Sequence, residues 1–156
     1  MAKPLIKPLY EKIYGESFDY GSFGKRMKMQ KGIYLIEQFG LNIGEYDFSW
    51  YKHGPYSQRL QDDMYEESSR QSTELRYSEY AIYIIGRIKE IVGVAKEKGF
   101  KYNLEQWMEC LASVHYLNRV FQGNKEKTLQ QLVERKPHLN ELTANEEAYD
   151  IVASMS

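Results

Sequence analysis

The chain has 156 residues, 42% of them apolar and 28% charged, the mix of one globular domain able to fold without a disulfide or metal staple. Twenty-one basic and twenty-two acidic residues give a formal net charge of −1, which excludes a domain-wide cationic surface but not a local patch. The lone Cys110 excludes an internal disulfide, the longest apolar run (Ala81 to Ile85) is far short of a membrane span, and no apolar signal core follows Met1-Ala2-Lys3-Pro4, so the expected location is the cytoplasm.

In chain order, Leu5, Ile6, Leu9 and Ile13 recur at helical spacing and predict a first helix from Leu5 to Tyr14, stopped by Gly15. Ser22 is a plausible N-cap for a second helix through Phe39, whose later half is apolar on most sides and so expected to be buried all round. Tyr46, Phe48 and Trp50 alternate as in a short strand, and His53-Gly54-Pro55 is a turn with Pro55 suited to the first position of a third helix carrying Tyr56, Leu60 and Met64. After a polar stretch, Leu75-Arg76-Tyr77 could pair as a second strand. A helix from Ser78 follows, with Ala81, Ile84, Ile85, Ile88, Ile91, Val92 and Ala95 on one face and Gly99 at its end. Asn103 and Gln106 form a capping box for the next helix, which stops near Gly123. Leu129, Leu132 and Val133 lie on a shorter helix ended by Pro137. A second capping box, Thr143-x-x-Glu146, starts a last helix burying Ala148, Ile151, Val152 and Met155. The expected fold is mainly α: one domain over 1–156, a bundle of six to seven helices with one small β element.

Catalytic signatures are missing from this pattern: there is no dinucleotide fingerprint, Walker loop, zincin helix or nucleophile elbow. His53, His115 and His138 fall in three separate segments without ligand-like spacing, so no metal and no cofactor is expected. His115, on an apolar stripe, is expected as a core histidine bonded to a carbonyl or a tyrosine hydroxyl, and Cys110 as a small buried thiol. A hydrolase would need two of His53, Cys110 and His138 to meet in a cleft. Asp62, Asp63, Glu66 and Glu67 fit solvated charges at a helix end, or a patch facing a basic partner. Lys25, Arg26, Lys28 and Lys31 ring their helix rather than line it, which suits a solvated helix end better than phosphate tracking.

Aromatic content is high, with 14 Tyr, 6 Phe and 2 Trp. Each buried phenol wants a hydrogen-bond partner, whereas surface tyrosine offers contact area at low entropic cost, a property suited to protein recognition. The richest cluster is Trp50, Tyr51, His53, Pro55 and Tyr56, either a packed corner or a binding ledge, with Arg59 as a charge-assisted donor beside it.

Three stretches carry a family resemblance: Lys28-Met29-Gln30-Lys31-Gly32-Ile33-Tyr34-Leu35-Ile36; Phe48-Ser49-Trp50-Tyr51-Lys52-His53-Gly54-Pro55-Tyr56-Ser57-Gln58-Arg59-Leu60-Gln61-Asp62-Asp63; and Leu111-Ala112-Ser113-Val114-His115-Tyr116-Leu117 with Glu134-Arg135-Lys136-Pro137 and Glu146-Glu147-Ala148-Tyr149 after it. In order and spacing, roughly over 28–152, they resemble the bacterial YwgA-type proteins and, more distantly, the Panacea antitoxin domain. That resemblance implies a small helical protein of bacteria, phages or mobile elements without catalytic residues or cofactor. It also implies neutralisation of a toxin by direct protein contact. The expected function is therefore a non-enzymatic protein-binding module, an antitoxin or regulator, using Trp50, Tyr51, His53, Pro55, Tyr56 and Arg59. A nucleic-acid-binding regulator using 25–31 is the alternative. No membrane partner is expected, and a homodimer is left open.

Overall fold

Two long helices form the middle of the molecule, each buried around most of its circumference. The structure, a computed structural model, describes residues 6–70 and 75–155. Its elements are α1 (Ile6–Tyr14), α2 (Phe23–Gln38), β1 (Ser49–Tyr51), β2 (Gly54–Tyr56), α3 (Gln58–Glu67), α4 (Glu79–Val92), α5 (Val94–Glu97), α6 (Leu104–Val120), α7 (Lys125–Arg135) and α8 (Leu142–Ala153). This is the expected mainly α architecture with one small β element. Every residue of α6 from Trp107 to His115 is buried, as is every residue of α2 from Lys28 to Ile36. Helix α6 packs on α2, α7, α8 and β2, while α1 packs on α3 and α4. A helix surrounded by neighbours has no solvent face to keep polar.

Local chemistry explains most boundaries. Ser22, Ser57, Ser78, Asn103 and Asn124 each accept from the backbone N–H three residues on. The Asn103/Gln106 capping box forms in both directions. Other expectations fail for identifiable reasons. Pro55 does not open a helix: it lies in β2, paired with Trp50 in an antiparallel hairpin. The next helix starts later, because Gln30 holds Ser57 by both its N–H and its carbonyl, each at 2.9 Å, and the Ser57 hydroxyl caps Leu60. Leu75–Tyr77 forms no strand among the described residues, and Tyr46–Phe48 precede the pairing rather than join it.

The helix from Ser78 is interrupted at Gly93. There the Trp107 indole donates to the Ile91 carbonyl at 2.9 Å, the acceptor that a continuous helix would offer to Ala95. Thr143 does not cap α8. Glu141 takes the N-cap position, fixed by its own N–H to the Tyr102 hydroxyl (3.0 Å) and its carboxylate to the Lys101 N–H (2.6 Å). On α8, Ile151 is half-buried, as is Met155 just beyond it, while Ala148 and Val152 are buried. Leu5 and residues 71–74 of the polar stretch lie outside the described residues.

The interior also holds more phenols than the composition suggests, because most have a partner, the buried Tyr77 hydroxyl being an exception among the described residues. Tyr10 donates to Glu16, Tyr46 to Asp63, Tyr102 to Asn145 and Tyr149 to the Gly123 carbonyl, while Tyr34 bonds His115.

The acidic cluster is only partly solvated. Asp62 and Glu66 are exposed, but Asp63 is half-buried and Glu67 is buried. Glu67 accepts from the backbone N–H of Ile6 (2.9 and 3.1 Å) and of Lys7 (3.3 Å), capping α1 from a distant helix. Free helix N–H groups and the positive end of the helix dipole draw the carboxylate in. Glu67→Ala is expected to lower stability by ~2–3 kcal/mol, a drop of roughly 4–12 °C in Tm by calorimetry, with Glu67→Gln losing less.

Candidate functional site

The hairpin β1–β2 is too short to be stable alone. Three side chains, two from α2 and one from the segment after α7, tie its backbone down. Lys136, just after α7, donates to the Lys52 carbonyl at 2.6 Å. Lys31 of α2 donates to the Pro55 carbonyl at 2.8 Å, and Gln30 holds Ser57. Gly54, the first residue of β2 after the two-residue turn Lys52-His53, has φ +93°, a conformation suited to glycine. A Cβ there would also sit 2.4 Å from the Ser113 hydroxyl of α6, so the hairpin lies directly on that helix.

Beneath the hairpin lies a buried charge cluster. Glu109 of α6 is 2% exposed, Lys31 2% and Lys136 3%. Lys136 Nζ is 3.0 Å from Glu109 Oε2, and His138 Nε2 is 2.9 Å from Oε1. His53 Nδ1 approaches Oε2 at 4.0 Å. One carboxylate thus faces two ammonium groups and two imidazoles. Lys31 is pulled down to about 7, first by burial and then by the neighbouring Lys136, with Glu109 opposing. His53 is also held below its ordinary value, chiefly by burial.

Above this cluster an open cavity of about 250 Å³ is lined by Phe23, Arg26, Lys31, Tyr51, His53 and Tyr56, among others. Its rim is aromatic. Tyr51 stacks against Tyr56 at 5.2 Å between ring centroids, and Phe23 meets His53 edge-on at 5.1 Å. The Arg26 guanidinium lies over both Phe23 (5.8 Å) and Tyr20 (5.2 Å), and Tyr20 contacts Tyr65 at 5.3 Å. A nearly continuous belt from Tyr65 to His53 results, with Phe23, Tyr51 and Tyr65 more than half exposed.

The six residues singled out in the sequence separate into four groups. Tyr51, His53 and Tyr56 line the cavity together. Trp50 turns to the other side of the hairpin, against Tyr116 (5.6 Å), Lys136 (5.1 Å) and Arg135 (5.9 Å), where it joins the hairpin to the helices beneath. Pro55 is buried and supplies the carbonyl held by Lys31. Arg59 lies over the Tyr46 ring at 4.5 Å and donates to the Gly44 carbonyl, fixing a loop away from the cavity. Phe23, Arg26, Tyr20 and Tyr65 complete the belt. Phe23 carried the one available signal, an aromatic placed directly after a helix N-cap, where nothing in the sequence requires it to be buried.

The other candidate chemistry resolves simply. Lys28 and Lys31 are buried, the former 2.9 Å from Glu16, so half of the basic group is withdrawn from the surface rather than solvated. His115 shares a 2.7 Å hydrogen bond with the Tyr34 hydroxyl and is pulled down to about 4, first by burial and then by Arg119. It is the bonded core histidine expected. Cys110 points to Asn145 at 3.3 Å, and burial pushes its thiol well up, the opposite of an activated nucleophile. His53 and His138 do converge, but on Glu109 rather than on the thiol. No group of three or more His, Cys, Asp and Glu among the described residues is placed to hold a metal ion, and no helix among them is long and apolar enough to cross a membrane. No family model matches the chain, and neither a curated protein nor a solved structure matches it.

Proposed function

We propose that the chain is a non-enzymatic protein-binding module whose contact face is the aromatic belt around the hairpin cavity. The observation that carries this reading is the exposure of Phe23, Tyr51 and Tyr65 on a corner whose backbone is fixed by buried side chains. Large aromatic groups on a rigid support bind with little further loss of conformational entropy, and with arginine they dominate interface energies. The resemblance to antitoxin domains supports a toxin as the partner. The nucleic-acid alternative is weaker, since Lys28 and Lys31 face inward.

In affinity capture from the native host, a partner should be enriched by the wild-type chain and reduced at least 30-fold by Tyr51→Ala or Phe23→Ala, corresponding to ~2 kcal/mol per anchor. Ile82→Ser, at an exposed position on α4, should retain it. Retention by all three variants would place the contact elsewhere. Co-expression of a captured toxin tests the antitoxin role: growth should be restored by the wild-type chain and not by Tyr51→Ala.

A further inference from the structure

The buried cluster contains one cation more than it needs. Glu109 is contacted by Lys136 at 3.0 Å and by His138 at 2.9 Å. Lys31 has only a neutral partner at hydrogen-bond distance among the described residues, the Pro55 carbonyl. An ammonium group removed from water without a counter-charge at contact is destabilising. The hairpin needs only a neutral donor at that carbonyl, as Gln30 shows at Ser57 one strand end away. Lys31 also lines the cavity, which opens between Tyr51 and Tyr56 on one side and Phe23 and Arg26 on another. The charge lacking inside the fold can therefore be supplied from outside it.

Size narrows the occupant. About 250 Å³ lies below the roughly 300–1,000 Å³ of ordinary small-molecule sites and matches one chemical group rather than a whole cofactor. One side chain fits. Its stem would meet aromatic walls and its head two lysines, Lys31 and Lys52, and an arginine, Arg26. Gln30 and Gln61, also in the lining, offer neutral amides, and no carboxylate residue is among the lining groups to repel an anion.

We propose that this cavity is a socket for a single carboxylate on an apolar stem, an acidic side chain or chain end of the bound protein partner, with Lys31 as its counter-charge. The proposal rests on the protein-binding reading above and specifies what the partner must present. It also couples binding to protonation. The groups facing Lys31 are Glu109 from α6, Lys136 from the segment after α7 and His53 and Lys52 from the hairpin turn, with His138 across Glu109 and Arg26 on its own helix. Lys31 sits near its titration midpoint at neutral pH, so a carboxylate that requires its charge binds less tightly as pH rises.

Benzoate is the probe, titrated calorimetrically into the full chain. Wild-type protein should bind it saturably at pH 6.5, with affinity falling at least tenfold by pH 8.5, since the protonated fraction of a group near 7 falls by about that much. Lys31→Met should bind at least tenfold more weakly at pH 6.5 and lose the pH dependence. Tyr51→Ala, at a position more than half exposed, should weaken binding severalfold, and it decides the matter with the wild-type pH series if Lys31→Met does not fold. No saturable binding, or binding indifferent to pH and to both substitutions, overturns the socket. The second arm identifies the source of the carboxylate: saturating benzoate should displace the captured partner. Binding without displacement assigns the socket to a free organic acid and overturns the partner's role. A partner lost with Tyr51→Ala when benzoate does not bind leaves the protein-binding reading standing and removes only the socket.

Discussion

Glu109→Ala is expected to lower the unfolding free energy by about 3–5 kcal/mol, the cost of leaving a buried charge without its partner. Its side chain is the one carboxylate among Lys31, Lys136, His53 and His138, and it is 3% exposed. Truncation leaves Lys136 buried without its anion and removes the attraction that partly offsets the burial of Lys31. The midpoint of thermal unfolding should fall by roughly 6–20 °C for a chain of this size. The double variant Glu109→Met, Lys136→Met should lose less than Glu109→Ala alone, because removing both members of a buried pair leaves no isolated charge. Chemical denaturation of the three proteins measures this directly. A loss below 1 kcal/mol for Glu109→Ala would mean that the cluster is solvated enough for the charges to be screened. The Lys52 carbonyl also depends on Lys136, so the hairpin should loosen with the pair. Amide exchange at Tyr51 and Gly54 would show that loosening before global unfolding does.

The sequence makes some of this site legible and conceals the rest for a physical reason. Period and caps are local properties, so the helices of Ser22, Ser78 and Asn103 could be located from their own residues. The buried end of α2 could be recognised because Ile33-Tyr34-Leu35-Ile36 has no polar face. Tyr51, His53 and Tyr56 stood out by crowding in the chain. Glu109 did not, since a glutamate on a helix is ordinarily a solvated charge, and its partners lie 27 and 29 residues away along the chain, at Lys136 and His138. Lys31 had the look of one charge in a basic group. Its burial depends on the Pro55 carbonyl, which becomes available only when Pro55 enters a strand rather than a helix. Glu67 was hidden in the same way, by a helix 60 residues upstream whose amides it caps. Long-range polar pairing leaves no periodicity behind it.

Stability of the free protein should rise with pH between about 7 and 8.5, with a slope approaching ~1.4 kcal/mol per pH unit, the value for one proton. Folding lowers Lys31 from 10.5 to about 7, so within that window the unfolded chain binds a proton that the folded chain has released. Protons bound preferentially by the unfolded state destabilise the fold, and raising pH removes that penalty. The stabilisation is complete above the unfolded value and is lost as pH falls through about 7. His53 and His115, both lowered by burial, act in the same sense but below their ordinary 6.5, so their contribution is nearly finished at pH 7. Cys110 and the buried tyrosines are raised, so they act in the opposite sense from about pH 9 upward and set the top of the window. Urea denaturation at closely spaced pH values gives the slope, and Lys31→Met should flatten it. A flat wild-type profile would mean that Lys31 keeps an ordinary lysine's affinity for its proton and carries no unmet charge. Saturating benzoate provides the link to function. A carboxylate beside Lys31 raises its affinity for the proton and moves the window upward, so the liganded protein should lose the slope between 7 and 8.5 without any substitution. The same titration then measures a structural strain in the free chain and its relief by the group the cavity is shaped to receive.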